Sequence, residues 1–104
     1  MGYYTPDPYY QPEKFGLEIV ATHDQPRCYD FDLFVVWKDV NDNLYWAFDS
    51  GCSCPSPFED YTAVTDLEHG TKAELMKAYE EWCKNRYSLD SNEHFNMLDK
   101  LSQL

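Results

Sequence analysis

The run "CYDFDLFVVWKDVNDNLYWAFDS", residues 28–50, constrains the fold more than any other part of the chain. Successive side chains of a strand alternate between its two faces, so Tyr29, Phe31, Leu33, Val35 and Trp37 share one face and Asp30, Asp32, Phe34, Val36 and Lys38 the other. The first face is apolar throughout. The second is polar at its start and apolar in its middle, the pattern of a central strand partly covered on both sides. "DVNDN" supplies the turn, because Asn and Asp tolerate positive φ and hydrogen-bond their own backbone. Leu44, Trp46 and Phe48 then form one face of the returning strand, with Tyr45, Ala47 and Asp49 opposite.

Upstream, Leu17, Ile19 and Ala21 alternate with Glu18, Val20 and Thr22, which predicts another strand ending at "HDQP". Downstream, "TAVTDLE" reads as a short strand or an extended connection. Thr71 and Glu74 form a capping-box pattern, and Leu75, Met76, Tyr79, Trp82, Cys83 and Arg86 recur at helical spacing. Asp90 or Ser91 opens a shorter helix with Phe95, Leu98, Leu101 and Met97 as its apolar stripe. Strands first and helices last predict an α+β domain over residues 15–104: a small antiparallel sheet of three to four strands, covered on one face by one long and one short C-terminal helix. Residues 1–14 hold four Tyr and three Pro and read as an extended arm, some of whose rings pack on the sheet or on a partner.

A chain of 104 residues supports one modest core, and 43% hydrophobic with 17% aromatic residues is too rich for a disordered acidic tail. Eight basic against nineteen acidic side chains give a net charge of −11, which disfavours direct binding to nucleic acid or anionic membrane. A basic protein surface would be attracted, with an affinity that falls as salt rises. No apolar run approaches the roughly 18 residues of a membrane span, and "MGYYTPDPYY" has neither the basic nor the apolar region of a signal peptide. Pro6 stands where a myristoylation motif requires Ser or Thr. The expected compartment is therefore reducing, and the four cysteines are expected as thiols or metal ligands rather than disulfides.

The stretch "DSGCSCPSPFED", residues 49–60, is the main candidate for chemistry. Cys52 and Cys54, with Cys83 and either Cys28 or His69, offer the soft tetrahedral set that zinc prefers. Cys-x-Cys is shorter than the usual zinc knuckle, and Cys83 lies on a helix stripe where a cysteine serves as a small hydrophobe. Asp49, Glu59 and Asp60 can hold a divalent cation or act as an acid and base pair where the Pro55 to Pro57 bend brings them together. Solvated surface is the alternative for all three. His23, His69 and His94 are scattered and are expected as surface or capping side chains.

One feature rises above these. Between Lys38 and Lys72 there is no Lys or Arg, while Asp39, Asp42, Asp49, Glu59, Asp60, Asp66 and Glu68 contribute seven acids. Tyr45, Trp46, Phe48, Phe58 and Tyr61 lie among them. Charge steers an encounter and rings anchor it, so Asp42, Tyr45, Asp49, Phe58, Glu59, Asp60 and Tyr61 are the expected contact residues for a basic partner. The competing reading turns all these rings inward.

"PEKFGLEIV", "DLFVVW" and "LYWAFDSGCSCPSPFEDY", taken in order, resemble a family of short uncharacterised proteins of actinobacterial phages and prophages, over roughly Pro12 to Trp82. The resemblance carries no catalytic or ligand residue. It implies a setting in the bacterial cytoplasm during infection, and a non-enzymatic protein that binds and modulates or inhibits a host protein, such as a defence or nucleic-acid-processing factor. A zinc module or metal-dependent enzyme built around Cys52 and Cys54 is the second expectation. A homodimer or other homo-oligomer joined through edge strands is the third.

Overall fold

A computed structural model describes residues 8–25, 30–52, 58, 61, 63–86 and 89–104, with backbone only at 30, 31 and 52. Four strands, β1 (Leu17–Asp24), β2 (Asp30–Asp39), β3 (Leu44–Cys52) and β4 (Glu68–Gly70), form an antiparallel sheet in the order β1-β2-β3-β4. Two helices follow, α1 (Lys72–Lys84) and the slightly shorter α2 (Ser91–Ser102). The domain is α+β, with strands preceding helices. None of the helices among the described residues is long and apolar enough to cross a membrane.

The β2–β3 turn sets the register of β2 against β3. Asp39 N donates to Asn43 O at 3.1 Å, and Asp42 takes a positive φ of 64°, which Asp tolerates better than most residues. The Asp39 carboxylate accepts from Asn41 N, Asn43 N, Asn43 Nδ2 and the Tyr45 hydroxyl at 2.8 to 3.2 Å. Those bonds, the Asn43 side chain's first, hold its pKa below the usual carboxylate value. From this clamp Trp37 pairs with Tyr45 and Phe34 with Phe48.

In β1 the simple alternation breaks. Ile19 pairs with Trp37 but Ala21 with Val36, so Val20 is an extra residue, a β-bulge. Leu17 and Ile19 therefore face one side of the sheet, while Ala21 turns to the other. The bulge also sends His23 inward, where it is fully buried.

The helices cover one face of the sheet, as expected, and the opposite face is covered as well. Phe34, Val36 and Trp46 pack under α1 and α2 against Leu75, Tyr79, Trp82, Met97 and Leu101. On the opposite face, Leu33, Val35 and Trp37 pack against Leu17, Phe58 and Leu67, with Tyr9, Phe15 and Tyr61 at the margin. A face carrying a buried Trp cannot stay in water, since each large apolar side chain gains about 1.5–3 kcal/mol on burial. Irregular segments supply the cover. Trp37 Nε1 donates to Pro8 O at 2.9 Å, and Pro8 itself is fully buried, so the N-terminal arm belongs to the core from there onward. The arm is not extended throughout: Pro12–Phe15 forms a 3₁₀ turn, begun by Pro12 and ended by Gly16 at φ 70°.

The helix caps follow the sequence pattern. Thr71 Oγ1 accepts from Glu74 N at 3.2 Å while Glu74 Oε1 accepts from Thr71 N at 3.0 Å. Asp90 Oδ1 accepts from Glu93 N at 2.9 Å and starts α2. The buried residues of α2 are Met97 and Leu101, whereas Phe95 is 66% exposed. The inward stripe is His94, Met97, Leu98 and Leu101, the i, i+3, i+4, i+7 set that places a histidine where the apolar pattern suggested Phe95.

Candidate functional site

β4 is three residues long and pairs only with the first three of β3: Leu44 with Gly70, Tyr45 with His69 and Trp46 with Glu68. β3 continues to Cys52, paired with β2 along its inner side. From Ala47 onward, no strand among the described residues covers its outer side. A groove of about 780 Å³ opens there, between the outer part of β3 and α1. Buried Phe34, Trp46 and Trp82 contribute its apolar lining, and Phe48, 59% exposed, stands at its edge.

Charge in the groove is lopsided. The carboxylates of Asp66, Glu68, Glu74 and Glu81 line it, all on exposed residues, against Lys77 and Arg86. Arg86 is already engaged. Its Nε and Nη2 hold the Asp32 carboxylate, the Nε bond at 2.9 Å, and its Nη1 donates to Trp82 O at 2.8 Å. The guanidinium carbon lies 4.0 Å from the centre of the Trp82 ring. The Asp32 side chain is only 7% exposed, so the pair is a structural clamp between β2 and the end of α1.

A second cluster of functional groups lies under the helices, and the sequence reading missed it. Asp90 N donates to Gln25 Oε1 at 2.9 Å, which identifies that atom as the amide oxygen. His23 Nε2 lies 2.6 Å from the same oxygen and must donate to it. Neutral His23 then presents Nδ1 as an acceptor to the Tyr79 hydroxyl at 2.6 Å, and the Tyr79 oxygen accepts from His94 Nδ1 at 3.0 Å. The chain has one direction, from α2 through α1 to the end of β1. Burial lowers the His23 pKa and pushes the Tyr79 phenol far above its usual range, so both groups stay neutral. Periodicity gave no warning of this cluster, because β1 reads as a simple alternating strand until its bulge is known.

This cluster lacks an activated nucleophile. Cys83 Sγ lies 3.9 Å from His94 Nδ1, but burial raises the thiol pKa beyond what the Tyr79 hydrogen bond and Arg86 restore. A thiol held protonated is a poor nucleophile and a poor metal ligand. The arrangement does what a buried polar network does well: it fixes three elements in one relative position.

The expected contact residues that are described lie in different places. Asp42 lies in the β2–β3 turn, 3.6 Å from Lys38 Nζ, and Tyr45 is part-buried beside Asp39. Asp49 lies near the far end of β3, where its carboxylate accepts from Ser50 N at 2.9 Å and Phe58 N at 2.8 Å. Phe58 is fully buried, its ring 5.5 Å from Trp37 and 5.3 Å from Tyr61, so it is core and not contact surface. Of the described members of this set, only Tyr61 lines the groove. Glu59 and Asp60 lie outside the described residues, and with them the proposed carboxylate trio. Glu74, Lys77, Ala78 and Glu81, spaced i, i+3, i+4, i+7, bring one face of α1 to the groove.

The zinc set is divided. His69 pairs with Tyr45 on the face away from the helices, their rings 6.1 Å apart, while Cys83 packs under the helices on the other face. They cannot share a metal. Cys28, Cys54 and the Cys52 side chain lie outside the described residues. Among the described residues no three His, Cys, Asp or Glu side chains are grouped to hold a metal ion. His23 corrects the expectation of a surface histidine, and His94 is half-buried.

No curated protein and no solved structure matches the chain. The family model described as domain of unknown function DUF7574 matches residues 7–104, which take in all four strands and both helices, and the chain belongs to that family.

Proposed function

We propose that the protein is a non-enzymatic binding module that docks a basic protein partner through the groove between α1 and the outer part of β3. The observation that carries this reading is the union of an exposed ring, Phe48, with four carboxylates over a buried aromatic lining. Rings give contact area at small entropy cost, and a one-signed rim steers and orients an oppositely charged surface. The net charge of −11 extends that attraction beyond the groove itself.

The resemblance to short phage and prophage proteins supplies the setting of the proposal: a bacterial host protein as partner, met in the cytoplasm during infection, with modulation or inhibition as the outcome. Immobilised protein in bacterial lysate tests it. The wild type retains a basic host protein at low salt and releases it as salt rises, while the Glu68→Lys, Glu81→Lys double variant retains none of it. Retention that charge reversal leaves unchanged overturns the reading.

A further inference from the structure

We infer that the buried contact between His23 and Tyr79 is a pH-operated latch, which holds the start of α2 against the end of β1 while His23 is neutral and releases it when His23 takes up a proton. The latch lies under the helices and stands apart from the docking reading.

It follows from the positions of the hydrogens. Gln25 Oε1 accepts from His23 Nε2 at 2.6 Å and from Asp90 N at 2.9 Å, so it has no hydrogen to give and ties the ring to the N-cap of α2. His23 Nδ1 is therefore the acceptor for the single hydrogen of the Tyr79 phenol, 2.6 Å away. A proton added to Nδ1 meets that hydrogen head-on. The phenol can then turn toward His94 Nδ1 or Cys83, and neither serves it. His94 Nδ1 already donates to the phenol oxygen, and a cationic His94, whose charge is among the groups opposing a proton on His23, has hydrogens on both ring nitrogens. Burial keeps the Cys83 thiol protonated, which leaves its sulfur a weak acceptor. A buried donor without an acceptor is costly, so the contact opens.

Each element packed on His23 bears on the proton. Burial opposes it most, and Gln25 and the carboxylates of Glu93 and Asp90 on α2 favour it. Asp24, next in β1, is drawn to a charged His23. Asp32 of β2 is already paired with Arg86, beyond the end of α1. α1 itself brings Tyr79, Cys83 and the Trp82 ring, the last 4.9 Å from the His23 ring. Burial thus keeps the proton off at neutral pH, and the surrounding acids bring it within reach on mild acidification.

The opening is local. Asp24 N donates to Glu93 Oε1 at 2.9 Å and Asp90 N to Gln25 Oε1, and both bonds require the start of α2 to lie on β1. Farther along α2, Met97 and Leu101 are fully buried and keep the rest of the helix in the core.

Histidine nitrogen NMR and amide hydrogen exchange on the full chain, between about pH 7.5 and 5, test the latch. His23 Nδ1 should be bare at the upper end and protonated at the lower, with His94 Nδ1 protonated throughout. Below the His23 step, protection of the Asp24 and Asp90 amides should fall about tenfold per pH unit while Val35 and Val36 in β2 keep theirs. His23→Gln should abolish that pH dependence. Tyr79→Phe removes the hydrogen that occupies Nδ1 and should raise the proton affinity of His23 about tenfold, whereas a ring that only packs would leave it unchanged. Should either variant fail to fold, the wild-type profile alone decides. Asp24 and Asp90 amides that stay protected through the His23 step overturn the latch. A loss of protection shared by β2 is global unfolding and also overturns it. A shift of His94 to the form with hydrogen on Nε2 alone does the same, because the chain then reverses and keeps every bond.

Discussion

The Nδ1 atom of His23 lies 2.6 Å from the hydroxyl oxygen of Tyr79, and the same oxygen lies 3.0 Å from His94 Nδ1. One phenol therefore joins a bulged strand to both helices. The hydroxyl sits between two ring nitrogens, and the Gln25 oxygen, which accepts from His23 Nε2 and Asp90 N, leaves His23 Nδ1 free to accept the phenolic proton. The sheet and the helices are held in register by this link as well as by apolar packing, and the groove between β3 and α1 depends on that register.

Tyr79→Phe removes the hydroxyl and keeps the ring. His23 Nδ1 loses its donor in a site with no exposure, and His94 loses its acceptor. A buried polar atom left without a partner costs about 1–3 kcal/mol. Urea denaturation should show a loss of about 2 kcal/mol in unfolding free energy, with an unchanged slope. A loss under a few tenths would mean that the network does not couple the elements.

Stability should fall on mild acidification through His23. Its folded-state pKa is lowered from the ordinary 6.5, first by burial, against the opposing pull of Gln25, Glu93 and Asp90. The unfolded chain therefore binds the proton more readily. The contribution of neutral His23 is complete above about pH 6.5 and shrinks as pH falls toward the lower folded value. Asp24 works in the opposite sense at lower pH, because burial raises its pKa and the folded state then binds its proton more tightly. Denaturation curves between about pH 7.5 and 5 should slope in the wild type and flatten in His23→Gln.

The hairpin, the two helix caps and the strand-then-helix order were legible because each rests on neighbouring residues: Thr71 with Glu74, Asp39 with Asn43, the alternation from Leu33 to Trp37. The site was less so. Phe58 and Phe48 both read as aromatics among acids, yet Phe58 is buried on Trp37 and Phe48 faces the groove. What sets Phe48 apart is the length of β4, three residues, which among the described residues leaves its outer side without a strand, and nothing local encodes that length. The His23 network was hidden for a similar reason. A single bulge at Val20 reverses the faces after it, and a reversal of phase is invisible to a reading that counts in twos.

Asp32→Ala leaves the Arg86 guanidinium without its carboxylate in a site where its side chain is only 18% exposed. Breaking one half of a buried pair typically costs about 3–5 kcal/mol, whereas replacing both halves with apolar residues is often neutral. Asp32→Leu with Arg86→Met should therefore recover most of what Asp32→Ala loses in thermal denaturation. Failure of the double variant to recover would assign the loss to the Arg86 bond with Trp82 O and its contact with the indole ring.

Phe58 and Phe48 make the sharpest contrast between core and contact. Phe58 is fully buried among Trp37, Tyr61 and Tyr9, with its ring centre 5.5, 5.3 and 6.1 Å from theirs. Its backbone takes a φ of 62°, held by the Asp49 carboxylate on its N–H at 2.8 Å. Phe58→Ala should cost about 3–5 kcal/mol, the range for removing a buried ring, and weaken partner binding only through unfolding. Phe48→Ala, at a position 59% exposed, should change stability by no more than about 0.5 kcal/mol and weaken binding directly. Measured together by denaturation and by retention of a basic protein from bacterial lysate, the two variants should separate completely. A Phe58 variant that folds normally and fails to bind would move the contact surface to the opposite face of the sheet.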